Sequence, residues 1–174
     1  GHLTPNSPPR VELVKFLGPR HLCFHPTQDV LYFSDEQGCS VTGYRVNTST
    51  GTLSALQTIT SLPDGHTGRN TCSQIQISSS GKFLYVPNRG HNSIAGFCVD
   101  ASTGRLTSIG QVSTEAVPSS FSLGIEDKFL FAAGQQSGRL ASYRIDGASG
   151  ELTPMEIYDM GNWPVWVLVT SLGD

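Results

Sequence analysis

The sequence predicts an all-β protein built as a β-propeller, with about three complete four-stranded blades and one extra strand at each end. Three observations support this prediction. The 174 residues are rich in turn formers, with 19 Gly and 10 Pro, and only 14% of them are charged. A stretch of about 25 residues recurs three times, and each copy contains a short turn that ends in glycine. Turn-rich repeats with four strands per unit are typical of propeller blades.

The copies of the repeat begin at residues 29, 82 and 128. They read DVLYFSDEQGCSVTGYRVNTSTGTL, KFLYVPNRGHNSIAGFCVDASTGRL and KFLFAAGQQSGRLASYRIDGASGEL. An aromatic residue recurs at spacings of 53 and 46 residues, and a glycine recurs in the last turn. The aromatic residues are Tyr44, Phe97 and Tyr143, and the glycines are Gly51, Gly104 and Gly150. A period in this range matches one propeller blade per copy.

Each unit predicts four strands in order. The first strand is RHLCFHP, CSQIQIS or SSFSLGI, and the second is VLYFSD, FLYVPN or FLFAAG. The third is SVTGYRV, SIAGFCV or RLASYRI, and the fourth is TLSALQTI, RLTSIGQV or ELTPMEIY. A glycine precedes each fourth strand, because a tight hairpin turn needs a residue that accepts a positive φ.

The two ends of the chain continue the same pattern. Residues 1–5 match residues 150–154, so 1–17 are predicted to hold the fourth strand of a preceding blade. PVWVLVTS, within 161–174, matches a first strand that would close a ring. The remaining predicted segments are blades at 18–63, 72–116 and 117–160, with an insert at 64–71. Because a propeller closes with about 4–8 blades, we expect self-association or pairing with a missing propeller half.

Strand order predicts where a site would lie. Starts of first strands, ends of second strands and the connections between blades share one rim, near the central channel. Apolar positions repeat faithfully along the strands, whereas the rim positions differ from copy to copy. These are Glu36, Arg89 and Gln135 at second-strand ends, and Arg20, Ser73 and Ser119 at first-strand starts. Divergence at one shared location indicates either a shared site or free drift of exposed loops.

The insert SLPDGHTGRNTC makes the first repeat seven residues longer than the second. It connects a fourth strand to the next first strand, so it is expected to overhang the same rim. It carries Asp64, His66 and Arg69. Long loops in compact domains are usually functional or mobile, and a simple solvated loop remains the alternative.

The residue types at the rim favour an anionic ligand. The guanidinium groups of Arg20 and Arg89 could bind a carboxylate, a phosphate or a developing oxyanion. The Glu36 carboxylate could orient a water or a sugar hydroxyl, or accept a proton weakly. The alternative is a structural Arg–Glu–Arg bridge between neighbouring blades.

Several classes of function are not expected. The net charge of −3 gives no basic surface for nucleic acid, and no apolar run approaches the length of a membrane-spanning helix. The four cysteines form no CxxC pair, so we predict free thiols, no metal and no cofactor. No signal peptide is visible in GHLTPNSPPR, and the expected location is the cytoplasm.

GPRHLCFHP, YFSDE and NRGHNSI, together with the STG turns, resemble the seven-bladed lactonase propellers. That family includes bacterial-type 6-phosphogluconolactonases and fungal carboxymuconate cyclases. The resemblance implies that this chain is the C-terminal half of such a propeller, with Arg20, Glu36 and Arg89 as its catalytic set. It also implies a small anionic lactone or sugar-acid substrate. Substrate contacts are predicted for His21, Gln74, Asn88, His91 and Gln135.

The sequence also departs from the family pattern. Ser73-Gln74-Ile75-Gln76-Ile77 stands where many members read Ala-Asp-Ile-His-Ile, and Pro118-Ser119 stands where they read Pro-Arg. Family members are about twice as long as this chain. A non-catalytic propeller piece that acts as a binding or interaction scaffold is therefore the alternative to an enzyme.

Overall fold

The structure, a computed structural model, describes residues 1–170 and consists of three antiparallel sheets. Each sheet is one blade, which confirms the predicted all-β propeller architecture. The first blade contains β1 (Pro19–Phe24), β2 (Val30–Asp35), β3 (Ser40–Asn47) and β4 (Thr52–Thr60). The second contains β5 (Thr71–Cys72), β6 (Gln76–Ile77), β7 (Phe83–Arg89), β8 (Ser93–Val99) and β9 (Leu106–Ser113). The third contains β10 (Pro118–Leu123), β11 (Phe129–Gly134), β12 (Arg139–Ile145) and β13 (Leu152–Asp159), with a 3₁₀ turn at Ile125–Asp127.

The first strand of the second blade is interrupted, unlike the continuous CSQIQIS strand that the sequence predicts. Its two parts, β5 and β6, both pair with β7. Pro87 lies in β7 opposite the gap, and its carbonyl oxygen accepts a hydrogen bond from Ser73 N at 3.1 Å. In a strand, the N–H and the C=O of one residue point to the same side. The C=O of Pro87 faces the first strand, so the N–H that proline lacks would also have faced it, and no hydrogen bond from Pro87 N can cross the gap.

A β-bulge interrupts the first strand of the other two blades at the corresponding place. The register of β1 on β2 shifts between Pro19 and His21, which leaves Arg20 without a partner residue. The register of β10 on β11 shifts between Pro118 and Ser120, which does the same for Ser119. A bulge turns the extra side chain out of the regular alternation of the strand, and bulges are common beside active sites.

Two apolar clusters hold the blades face to face. One joins the first and second blades and includes Tyr32 and Phe97, and the other joins the second and third and includes Tyr85 and Tyr143. Equivalent hydrogen bonds cross both interfaces. Tyr32 Oη donates to Gly104 O at 2.7 Å, and Tyr85 Oη donates to Gly150 O at 2.8 Å. Each second-strand tyrosine therefore contacts the last hairpin turn of the next blade.

The two terminal segments differ from the sequence prediction, because no strand is formed in 1–18 or 160–170. A fourth strand pairs with the third strand of its own blade, and the third strands of the described blades, β3, β8 and β12, already pair with β4, β9 and β13. The N-terminal segment instead covers part of the outer face of the first blade, where Val11 and Leu13 lie near Phe33 and Tyr44. Residue 171, the end of the predicted closing strand, lies outside the described residues.

The segment near residue 167 lies beside the third blade. Val167 N donates to Ser120 Oγ at 3.0 Å, and Val169 N donates to Ser122 Oγ at 3.2 Å. These two bonds place it alongside β10, which is the position a first strand of a following blade would occupy. The segment boundaries proposed for the two ends stay predictions.

Candidate active site at the blade rim

Glu36, Arg20 and Arg89 come together at one rim. Arg89 Nη2 donates a hydrogen bond to Glu36 Oε1, and Arg20 Nε lies 3.6 Å from the same oxygen. The side chains of Arg20, Glu36 and Arg89 are 28%, 35% and 19% exposed, so the group is half-buried but reachable from solvent. The other carboxylate oxygen, Glu36 Oε2, forms no hydrogen bond within residues 1–170. It is therefore free to accept a proton or a hydrogen bond from a ligand.

Backbone contacts fix these side chains. Glu36 follows β2 directly, its N–H donates to Gly18 O at 2.8 Å, and its carbonyl accepts from Cys72 N at 2.9 Å. Arg89 is the last residue of β7, and its Nη2 also donates to Cys72 O at 3.0 Å. The backbone of Glu36 in the first blade and the guanidinium of Arg89 in the second are thus both bonded to Cys72, the last residue of β5. The geometry is compatible with a structural bridge between blades, except that Arg89 Nε is buried without a partner in the described part of the chain.

His21 lies next to this group through Arg20. Its Nε2 is 3.4 Å from Arg20 Nη1. Burial lowers the pKa of His21, and the positive charges of Arg20 and Arg89 lower it further, while Glu36 acts in the opposite direction. The imidazole is therefore neutral near pH 7, and its Nε2 can accept the hydrogen bond from Arg20.

The insert packs against the turn that follows Arg89. Asn70 Oδ1 accepts from His91 N at 3.1 Å, and Asn70 Nδ2 donates to Asn88 Oδ1 at 3.1 Å. The His66 ring meets the His91 ring edge to face, with centroids 5.0 Å apart. Gly90 has a φ of +135°, and a Cβ at this position would overlap Arg69 O. The NRGH turn therefore needs glycine because the backbone of the insert lies directly against it.

A cleft of about 760 Å³ opens beside this contact. The lining residues come from both blades, the insert and the start of the third blade. They are Glu36, Gln37, Arg69, Asn70, Thr71, Arg89, Gly90 and Val117. The insert thus lines the opening beside Glu36 and Arg89. Asp64, by contrast, is exposed and is not among the lining residues.

Four of the predicted substrate contacts lie elsewhere. Gln74 is buried between blades, where its Oε1 accepts from Ser120 Oγ and Phe121 N, both at 3.0 Å. Asn88 has no exposed surface and bonds to Ser61, Asn70 and Ser93. Each of these two side chains is therefore occupied by structural hydrogen bonds.

The other two predicted contacts are His91, in the turn between β7 and β8, and Gln135, which follows β11 on the third blade. His91 Nδ1 lies 2.8 Å from Ser93 Oγ, and Gln135 Oε1 accepts from Ser119 Oγ at 2.7 Å. Neither residue lines the cleft. The substrate contacts predicted for these four side chains stay predictions.

Asn70 is a site residue that the sequence analysis missed. It lies two residues before Cys72, and its side chain bonds to both His91 N and Asn88 Oδ1. The available signal was its position at the end of the insert, immediately before a first strand. The ion pair between Arg139 Nε and Glu115 Oε2 at 2.8 Å was missed as well, although it lies on the third blade, away from the cleft lining.

No cluster of three or more metal-binding side chains exists within residues 1–170. The same part of the chain contains no helix that is long and apolar enough to cross a membrane. All four cysteines carry free thiols, and burial raises the pKa of Cys23 and Cys72 to about 12. These two thiols are therefore poor nucleophiles near neutral pH.

Comparison with known proteins agrees with the fold. The model of the family described as Lactonase, 7-bladed beta-propeller, matches residues 1–169. The 6-phosphogluconolactonase of Yersinia pestis is 32% identical over 169 residues, which is 97% of this chain and 51% of the relative. The 6-phosphogluconolactonase of Yersinia enterocolitica is 33% identical over 171 residues, covering 98% of this chain and 51% of the relative. The chain thus spans about half the length of these relatives.

Solved structures give the same result. The periplasmic gluconolactonase of Pseudomonas aeruginosa superposes with a TM-score of 0.86 at 28% identity, over 91% of this chain and 44% of that one. A protein from Lactobacillus plantarum superposes with a TM-score of 0.85 at 31% identity, over 90% and 46%. The fold and these similarities define a propeller of the lactonase type. The chain belongs to the seven-bladed lactonase β-propeller family.

Proposed function

We propose that this chain carries the site of a lactonase-type enzyme that hydrolyses a lactone of an anionic sugar acid. The observation that supports the proposal is the arrangement of Glu36 between Arg20 and Arg89, with one carboxylate oxygen unbonded. The relatives named 6-phosphogluconolactonase and gluconolactonase act on compounds of this class by name. Their similarity favours the same chemistry at the same rim.

The reaction assigns a separate role to each charge. A water attacks the lactone carbonyl carbon, and Glu36 Oε2 accepts the proton that the water loses. The carbonyl oxygen gains negative charge in the tetrahedral intermediate, and the guanidinium groups of Arg89 and Arg20 stabilise it. The intermediate then collapses, the ring C–O bond breaks, and the leaving alkoxide takes up the proton. The product is the open-chain hydroxy acid.

Within this class we propose 6-phosphogluconolactone as the substrate. The resemblance also includes carboxymuconate cyclases, which would use the same arginines to bind carboxylates. The Yersinia relatives are named 6-phosphogluconolactonases, and they align with 97–98% of this chain. We therefore rank the phosphorylated lactone first.

A second candidate is a non-catalytic propeller piece that serves as a binding scaffold. Two observations favour it: the chain spans about half of its relatives' length, and the corresponding rim positions of the other blades are Ser73 and Ser119. Each is uncharged, and the hydroxyls of both are bonded within the protein, to Pro118 O and Gln135 Oε1. Of the corresponding rim positions, Arg20, Glu36 and Arg89 on the first two blades are charged, whereas Ser73, Ser119 and Gln135 are not.

Turnover of 6-phosphogluconolactone by residues 1–174 separates the two candidates. The rate of product formation is followed with a 6-phosphogluconate dehydrogenase couple and corrected for spontaneous opening. We expect hydrolysis above the spontaneous rate, and a drop of about 10²–10³-fold in kcat/KM for Arg89→Ala, since one oxyanion donor is lost. Arg144→Ala, an exposed change on the third blade beside Phe129, is the matched control. A folded wild-type protein without turnover contradicts the enzyme proposal.

Association with another propeller unit is also proposed. The inner strand β1 exposes Leu22 and Phe24 at 48% and 60%, and Trp166 is 64% exposed at the other open face. Apolar faces of this kind are normally covered in a soluble protein. Sedimentation equilibrium tests the proposal, and a monomer that stays soluble at high concentration speaks against it.

A further inference from the structure

Arg69 brings a third guanidinium to the cleft that holds Glu36 and Arg89. Its side chain is exposed and forms no ion pair or hydrogen bond with any side chain in the described part of the chain. Arg20 and Arg89, in contrast, are both engaged with Glu36. Arg69 is thus a cleft arginine whose charge no acidic residue compensates.

The backbone that carries Arg69 is held in place. Its carbonyl oxygen lies against Gly90, and the neighbouring Asn70 bonds to His91 N and to Asn88 Oδ1. Asn70 O also accepts from Cys39 Sγ at 3.3 Å. The insert therefore presents the side chain of Arg69 from a fixed base, unlike a solvated loop. Only the side chain itself must be ordered when a ligand binds.

The charges around the cleft do not balance. Among the side chains that line the cleft or pair with Glu36, three guanidiniums, on Arg20, Arg69 and Arg89, stand against the single carboxylate of Glu36. The excess of two positive charges matches a dianion. A phosphate monoester carries close to two negative charges at neutral pH, and a guanidinium fork matches its oxygen geometry.

We propose that Arg69 binds a phosphate monoester at the end of the substrate remote from the lactone, and that this contact sets the selectivity of the site for phosphorylated sugar acids. The inference rests on the proposed lactonase function. Arg20, Glu36 and Arg89 act on the reacting carbonyl, while Arg69 acts on a group that does not react. The insert therefore determines which lactone is accepted.

Binding of stable product analogues tests the inference without turnover. Calorimetry with 6-phosphogluconate, gluconate and glucarate compares a phosphate, a hydroxyl and a carboxylate at the same position. We expect the wild-type chain to bind 6-phosphogluconate at least about tenfold more tightly than either other compound. Arg69→Gln should weaken 6-phosphogluconate binding by about 10–100-fold and gluconate binding by less than about twofold, because one charged hydrogen-bonding partner is lost.

Two further variants control the experiment. Thr67→Ala changes another exposed residue of the insert and should leave all three affinities unchanged. Arg69→Lys keeps the charge but not the fork, so it should restore part of the lost affinity. An equal loss for all three compounds in Arg69→Gln overturns the inference, as does a wild type without preference for phosphate. Equal binding of glucarate and 6-phosphogluconate overturns the assignment to phosphate.

The outcome separates this inference from the proposed function. Phosphate-selective binding that depends on Arg69, without turnover, supports the inference and refutes the lactonase proposal. Turnover with the same preference for phosphorylated over neutral lactone in wild type and Arg69→Gln refutes the inference alone.

Discussion

Gly90→Ala tests whether the NRGH turn and the insert are held together as the structure shows. Gly90 has a φ of +135°, which an L side chain rarely adopts. An added methyl group would overlap Arg69 O and lie 3.0 Å from Asn70 Cα. Because the obstacle is backbone, it cannot turn aside as a flexible side chain would. The insert or the turn must move.

The expected loss of stability has two parts. Holding a non-glycine residue in this backbone conformation costs about 1–3 kcal/mol. Overlap of a new methyl with packed backbone adds about 1–3 kcal/mol. The free energy of unfolding should therefore fall by about 2–5 kcal/mol, with the lower values expected if the insert shifts away from the turn.

Gly65→Ala is the matched control, since Gly65 lies in the same insert. Its φ is +78°, and nothing lies within 4 Å of an added Cβ. It should cost only the conformational part, about 1–2 kcal/mol. Urea denaturation of both variants gives the difference between their free energies of unfolding. The dependence of that free energy on urea concentration is compared as well. If Gly90→Ala destabilises the protein no more than Gly65→Ala, the insert does not lie against the turn, and the reasoning for Arg69 loses its structural basis.

Two further predictions concern buried polar groups. Burial raises the pKa of Asp35, which outweighs the opposing hydrogen bonds from Thr42 and Ser40, and Asp35 Oδ1 has no partner within residues 1–170. A raised pKa means that the folded state loses stability as the pH rises above about 4, so Asp35→Asn should remove this loss, and its stability relative to the wild type should increase as the pH rises from about 4 to 7. Gln74→Ala leaves Phe121 N–H without its acceptor and should cost about 2 kcal/mol in urea denaturation.

Exposed residues of the same types serve as controls for these two predictions. Asp29→Asn and Gln136→Ala, both exposed changes, should each alter the stability at pH 7 by less than about 0.5 kcal/mol. A stability gain for Asp35→Asn that persists unchanged at pH 4 contradicts the assignment to the buried charge. A Gln74→Ala variant as stable as Gln136→Ala means that its interblade bonds contribute little.

Much of the fold could be predicted because each blade repeats the same local chemistry. The glycines Gly51, Gly104 and Gly150 all adopt a φ between +68° and +75°, as the hairpin turns require. The convergence of Arg20, Glu36 and Arg89 followed from strand order alone, because first-strand starts and second-strand ends lie at the same rim.

The remaining features depend on contacts between distant segments. The sequence does not show that the missing N–H of Pro87 faces the first strand, and therefore the break between β5 and β6 was not predicted. Gln74 and Asn88 have polar side chains at rim-like positions, and only the packing of neighbouring blades shows that their hydrogen bonds are already used. Asn70 was missed because its partners His91 and Asn88 lie about 20 residues away in sequence.

The bulges at the starts of first strands bear on how such a site can change over time. Arg20 and Ser119 have no register partner on the adjacent strand, so exchanging either side chain leaves the sheet hydrogen bonds of its blade intact. Mutation can therefore alter the charges at the channel mouth with little effect on folding. This separation of ligand recognition from folding would let one ring of blades acquire new substrates through single substitutions.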